Sequence, residues 1–331
     1  MANATPLHVV TGKGGTGKTT VAAALATALA DSGRRVLLCE VEGRQGIAQL
    51  FDVPPLPYEE RKVAMGLGGG EVYALAIDPE AALLEYLQMY YRLGRAGKAL
   101  DRFGIIDFAT TIAPGVRDIL LTGKVYEAAR RSSAESRGRN GFAYDAVVMD
   151  APPTGRIARF LNVNEELAGL AKVGPVRRQA SSIMAMMRSK STQVHLVTVL
   201  EEMPVQETLD GITELGATHL PVGHVIVNLV QPSLIGDDTR EALTSESLGS
   251  RQVADALSTI ALDTRAAPAL IDQGFAHLER QALQDAQRDV LEEADRPIVE
   301  LPTLPDAIDQ GALFDLARML REDLLGGGEP A

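Results

Sequence analysis

A doubly wound α/β fold built around a mostly parallel sheet is what this sequence predicts, and three observations carry the prediction. Apolar segments alternate with helix-forming ones along most of the chain. Several of the apolar segments are unbroken Val/Ile/Leu runs, the pattern of strands covered on both faces by crossover helices. Near the N-terminus one such run passes through a glycine-rich turn straight into an alanine-rich helical segment.

Taken in order, the first strand is expected at 7–11 and its helix at 18–32. Further strands are expected at 35–41, 72–77, 146–150, 194–200, 224–230 and 298–301, with helices at 79–93, 155–170, 204–215 and 314–325. Two stretches exceed this alternation. Residues 83–143 carry helices and then a polar Ser/Arg/Gly segment, 131–141, that reads as a mobile loop. Residues 237–295 read as largely helical, with Pro268 and Gly274 as breaks. A chain of 331 residues suits one elaborated domain, 1–331, better than two. The two stretches are then helical insertions at about 83–143 and 237–295, and residues 326–331 form a disordered tail.

Composition narrows the class. Hydrophobic residues at 46% and charged residues at 23% are ordinary for a globular protein. A net charge of −12 repels phosphate backbones and anionic lipid, so nucleic-acid binding needs a local basic patch. The candidates are Arg177, Arg178, Arg188 and Lys190, and Arg130, Arg131, Arg137 and Arg139, which read more readily as solvated faces or loops. No run is long enough for stable membrane insertion and the N-terminus lacks a leader pattern, so a cytoplasmic protein is expected. The one cysteine, Cys39, sits in an apolar run and reads as a small buried hydrophobe. Alone, it forms neither an internal disulfide nor a CxxC metal site.

The glycine-rich turn is the most specific chemistry in the chain. Residues 9–20 read VVTGKGGTGKTT. Glycines in such a strand–loop–helix let successive backbone N–H groups converge on phosphate oxygens, above the positive end of the helix dipole. Gly12, Gly14, Gly15, Thr16, Gly17 and Thr20 form this cradle, Lys18 reaches the outer phosphates, and Thr19 holds a magnesium ion. A second lysine, Lys13, follows the first glycine. It marks the deviant form of the loop, in which dimerising ATPases pass this side chain to the partner's nucleotide; an exposed, tolerated lysine is the competing reading. Asp150 ends an apolar strand, at the sheet edge where ligands bind, and suits a magnesium-bound water. Its competing role is to cap the helix that follows. The turn after it, Ala151-Pro152-Pro153-Thr154-Gly155, has the restricted flexibility of a γ-phosphate-sensing switch.

With these residues in view the whole chain resembles the ArsA-like family of arsenite-efflux and tail-anchored-protein targeting ATPases. The family loop GKGGVGKTT is similar to residues 12–20, and the second switch DTAPTGHTLR to DAPPTGRIAR at 150–159. Residues 113–118 echo a PPG-type segment, Val227-Asn228 takes the place of an adenine-binding VNQ, and Leu301-Pro302-Thr303-Leu304 that of an LPLL adenine loop. The resemblance implies a phosphate-binding-loop NTPase fold, ATP and ADP as ligands, Mg2+ as cofactor, and a dimer. It implies adenine contacts from Asn228 and Pro302.

Three departures qualify it. The family's first switch, DPAHS, holds the aspartate that polarises the attacking water, and alignment puts Glu42 there, with Glu40 as an alternative base inside the strand. A carboxylate on a longer arm predicts slow or partner-dependent hydrolysis, since a displacement of about 1 Å can cost on the order of a hundredfold in rate. With Cys39 alone, neither the family's arsenite thiols nor its zinc-closing CxxC is expected. Val176, Ala180, Ile183, Met184 and Met187 fall on one helical face, either as part of a groove for hydrophobic membrane-protein segments or as core packing. The sequence therefore points to a Mg2+-dependent dimeric ATPase coupled to a client or partner, with Lys13, Lys18, Glu42 and Asp150 in the chemistry. Its alternatives are a nucleotide-binding regulatory subunit, paired with a more active paralogue in a heterodimer rather than a homodimer, and a chaperone-like targeting factor.

Overall fold

A computed structural model describes residues 5–31, 33–66, 68–91, 115–131, 143–170, 175–305 and 307–324. Eight strands form one sheet in the order β3-β4-β2-β5-β1-β6-β7-β8. They are β1 (Leu7–Gly12), β2 (Arg35–Glu40), β3 (Arg61–Met65), β4 (Glu71–Ala76), β5 (Ala146–Asp150), β6 (Thr192–Thr198), β7 (Val222–Val230) and β8 (Ile298–Pro302). Seven coincide with the expected apolar runs and pair with one another in parallel throughout. The eighth, β3, is an antiparallel edge strand on β4. Its sequence, RKVAM, is largely exposed and has no apolar run to announce it.

Helices cover both faces. On one lie α1 (Lys18–Leu29), the short α2 (Gly46–Leu50) and α11 (Gln310–Leu324). Alanine at five of twelve positions in α1 lets it sit close to the sheet while α11 packs over it, so nearly every α1 side chain is buried. On the other face lie α4 (Val116–Arg130), α5 (Thr154–Leu170), α6 (Pro175–Met187) and α7 (Glu202–Ala217), packed on Leu7, Val9, Leu37, Val147, Met149, Val194 and Leu196. Helix α3 (Pro79–Tyr91) joins α4 at the β4 side.

Residues 237–292 form α8 (Asp237–Thr244), α9 (Ser250–Thr259) and the long α10 (Ala267–Glu292). The expected breaks at Pro268 and Gly274 do not occur. Pro268 lies in the first turn of α10, where its missing N–H has no intrahelical acceptor to lose. Gly274 is inside the continuous helix, against Leu243 of α8. Residues 132–141 of the expected polar loop, among them Arg137 and Arg139, together with Ala113, Pro114 and the tail 326–331, lie outside the described residues. No described helix is long and apolar enough to cross a membrane.

Three histidines stack across β1, β6 and β7. His195 Nδ1 accepts the backbone N–H of His224 at 3.3 Å, so its Nε2 carries the proton and donates to His8 Nδ1 at 3.0 Å. The His195 ring also stacks on His224, with centroids 5.6 Å apart. Gly223 leaves room for it, because a Cβ there would lie 2.9 Å from His195 Nδ1. Burial pushes the pKa of His8 down to about 4, helped by His224. Burial likewise lowers those of His195 and His224, with His8 and His224 adding to the effect on His195.

The sign follows. The unfolded chain takes up protons near pH 6.5 that the folded stack refuses, so stability is complete above that value and falls as pH drops. Between pH 7.5 and 5, His8 alone accounts for about 2 kcal/mol. Urea unfolding at the two pH values should show that His8→Asn loses about 2 kcal/mol less than wild type between them. A profile unchanged by the substitution would contradict the role of the stack.

Candidate nucleotide site at the carboxyl edge of the sheet

Strands β1, β5 and β2 end side by side, with Val10 paired to Asp150 and Glu40 paired to Asp150. This parallel register brings the loop after β1 and the last residues of β5 and β2 to one place. Gly12 closes β1 where a Cβ would lie 2.1 Å from the Val197 carbonyl oxygen, a backbone group that cannot swing aside. Gly15 and Gly17 have φ of 92° and 85°, the left-handed region that favours glycine. Gly17 is the N-cap of α1 and has no side chain to cap it, so the first N–H groups of the helix face the loop without a capping oxygen. Within the loop the Lys13 carbonyl accepts from Thr16 Oγ1 at 2.9 Å.

Lys18 and Thr19 open α1. Thr19 Oγ1 donates to Asp150 Oδ2 at 2.7 Å, across 131 residues of sequence. Asp150 is 8% exposed. Burial raises its pKa to about 6; the Thr19 hydrogen bond and Lys18 pull it down, and Glu40 and Glu42 push it up. The turn after Asp150 is tied to β1: Ala151 N–H donates to the Val10 carbonyl at 2.9 Å, and Thr11 Oγ1 donates to the Pro152 carbonyl at 2.7 Å.

The other expected site residues are placed as follows. Asn228, on β7, is buried and donates from Nδ2 to the Thr16 carbonyl at 2.9 Å, so it holds the loop itself. Pro302, on β8, pairs with Val230 two residues along. Lys13 Nζ forms an ion pair with Glu207 Oε1 of α7 at 2.8 Å, a partner sequence reading does not find because it lies 194 positions on. Glu42 follows β2 and lies 3.7 Å from Arg44 Nη2; no hydrogen bond joins it to Asp150. The Glu42 segment is anchored by Gln45, whose side chain accepts the Leu56 N–H at 2.7 Å and donates to the Leu56 carbonyl at 3.1 Å. Glu40 is a buried carboxylate at the same edge, 2% exposed.

The structure decides between the two readings of the α6 face. Ala180, Ile183, Met184 and Met187 of α6 are all buried, Ile183 and Met187 in the core shared with α5, so this face is packing and not a groove. The side chain of Val176 lies outside the described residues. Of the basic candidates, Arg131 pairs with Glu127 and Glu60, and Arg188 with Glu165. Cys39 is fully buried, and its pKa is driven up by burial, which keeps it a thiol.

A sequence model of the anion-transporting ATPase family matches residues 6–191. This chain belongs to that family. It is 51% identical over 325 residues to the ATPase BagA of Mycobacterium tuberculosis, covering 96% of this chain and 92% of the relative. It is 26% identical over 255 residues to an arsenical pump-driving ATPase of Escherichia coli, covering 70% of this chain and 40% of that protein. The family and these relatives support ATPase activity, and the eight-stranded, mostly parallel sheet is that of a phosphate-binding-loop NTPase.

Two alanine substitutions separate the loop's structural demands. A Cβ at Gly17 would lie 2.3 Å from Asn228 Nδ2 and require a left-handed alanine, whereas a Cβ at Gly14 meets nothing within 4 Å. Gly17→Ala should lower stability by about 1–2 kcal/mol from the backbone alone and displace Asn228, while Gly14→Ala should stay within about 0.5 kcal/mol of the parent. Urea unfolding of both variants checks this; equal losses would contradict it.

Proposed function

We propose that this chain binds ATP with Mg2+ and hydrolyses it as a dimer, using nucleotide state to bring two subunits together around a partner or client. The observation that carries the reading is the Thr19–Asp150 hydrogen bond beneath the glycine loop. It puts a hydroxyl and a carboxylate, the oxygen ligands magnesium prefers, beside uncapped helix N–H groups suited to phosphate. In this reading Gly12, Gly14, Gly15, Thr16, Gly17 and Thr20 cradle the phosphates, and Lys18 neutralises the outer ones. Thr19 and Asp150 hold the metal or its water, and Asn228 and Pro302 flank the adenine. Bound magnesium supplies charge neutralisation on the phosphates.

Glu42 is the residue proposed to orient the attacking water. Its longer arm favours slow turnover by an isolated chain, a rate that a second subunit raises. Lys13 is the group proposed to cross to the partner's nucleotide, in either a homodimer or a heterodimer with a paralogue. To do so it must leave Glu207, so separation of that pair accompanies closure. Neither zinc nor arsenite has a place in the proposal, since the chain's single thiol is buried.

A cation delivered in trans acts in the transition state more than in ATP binding, and such groups are worth roughly 10³ to 10⁵ in rate. Lys13→Ala should therefore lower kcat at least about a hundredfold while ATP affinity changes by less than about threefold. Phosphate release and equilibrium binding of a fluorescent ATP analogue measure the two. Loss of affinity with unchanged turnover per bound ATP would refute the trans role. Glu42→Gln should abolish the residual turnover; undiminished hydrolysis would move the water-orienting role elsewhere.

A further inference from the structure

Glu40, read from the sequence only as an alternative to Glu42 at the first switch, is a buried carboxylate at the nucleotide edge. The alternation of β2 sends Leu37 and Cys39 to the α4–α5 face, and Val36 and Leu38 to the α1 face, so Glu40 points toward α1. Asp150 does the same at the end of β5, after Val148. The two are direct register partners on neighbouring parallel strands, whose spacing is about 4.8 Å. Two acidic side chains thus stand side by side, buried, on the face that carries Lys18 and Thr19.

Their oxygens are unequally satisfied. Asp150 Oδ2 accepts from Thr19. Glu40 Oε1 accepts the Gly46 N–H at 3.3 Å, at the start of α2, and a Cβ on Gly46 would lie 3.1 Å from Thr19 Cγ2. The wall Glu40 bonds to is therefore packed on Thr19. Glu40 Oε2 is buried with no hydrogen-bond partner. A carboxyl group with an unpartnered buried oxygen beside a second carboxyl group is unfavourable as it stands. A divalent cation is the chemical group that relieves both defects together, because it takes oxygen ligands or their water-mediated contacts from adjacent carboxylates and a hydroxyl. Among the described residues no group of three His, Cys, Asp or Glu side chains is placed to hold a metal unaided. The nucleotide's phosphate oxygens have to complete the shell.

We propose that Glu40 is the second carboxylate of a divalent-cation site formed with Asp150 and Thr19, and that it sets how tightly the nucleotide-bound chain holds its metal. The inference rests on the magnesium–nucleotide reading above and adds a residue to it. It separates two nearby acids. Glu40 belongs to the metal, while Glu42, further along and in contact with Arg44, belongs to the water.

The test is Mn2+ binding, followed by electron paramagnetic resonance of the free ion, to the full chain saturated with ADP. Wild type, Glu40→Gln, Glu40→Ser and Glu42→Gln are compared. Glu40→Gln and Glu40→Ser should each weaken Mn2+ binding by about tenfold or more, Glu42→Gln by less than about threefold. ADP affinity in EDTA should be unchanged or slightly tighter in the Glu40 variants, because one of two like charges has gone. Melting of metal-free, nucleotide-free Glu40→Gln, which can still accept the Gly46 N–H, should occur at or above the wild-type temperature for the same reason, a result that a merely structural role for the Glu40 charge would reverse. Either Glu40 variant suffices if the other does not fold. Mn2+ affinity within twofold of wild type in a folded Glu40 variant would overturn the proposal and leave the magnesium reading standing. An equal loss of ADP affinity in EDTA would also overturn it, by showing that the residue supports the loop and not the metal. A wild-type chain that binds ADP but no Mn2+ would overturn both.

Discussion

The hydrogen bond from Thr19 to Asp150 depends on three separate pieces of chain arriving at one spot, and most of the architecture is arranged to deliver them. Parallel pairing of β1 with β5 fixes where β1 ends relative to Asp150. The loop of glycines lets the chain reverse into α1 within five residues, at Gly12 against the Val197 backbone and at Gly17 in a left-handed conformation. The alanines of α1 then keep its first turn pressed on the sheet, with α11 behind it. A bulkier α1 would lift Thr19 away from Asp150 without altering any residue of the site.

Much of this was legible in the sequence because it is local. Seven strands announce themselves as apolar runs, and the loop from Gly12 to Thr20 carries its chemistry in consecutive residues. What the sequence does not display are relations across distance or on the sheet margin. Strand β3 is mostly exposed, with no buried residue in its five, so its pairing with β4 has no buried apolar run to announce it. The Lys13–Glu207 ion pair and the Asn228–Thr16 hydrogen bond join residues about two hundred positions apart. Gly274 reads as a break only while its packing against Leu243 is unseen. Glu40 is the instructive case: inside a strand it looks like a misplaced charge, and only the register with Asp150 gives it a neighbour.

The same distances temper what a relative's name carries. The E. coli protein is named for driving an arsenical pump, but this chain's single cysteine is buried inside the sheet. The α6 methionines, which at helical spacing could have lined a groove, are spent on the core. What this chain keeps is the glycine loop of its family, with carboxylates at Glu40 and Glu42 near it and Lys13 paired to Glu207 of the same chain. The proposed cycle, gated by assembly, rests on the release of that Lys13–Glu207 pair.

The most direct test of this account is phosphate release from ATP and Mg2+ as a function of chain concentration, from well below to well above the range in which sedimentation detects a dimer. The account predicts a rate per chain that rises with concentration and levels off as the dimer saturates. A rate per chain that is the same across the whole range, with ATP bound throughout, would contradict it.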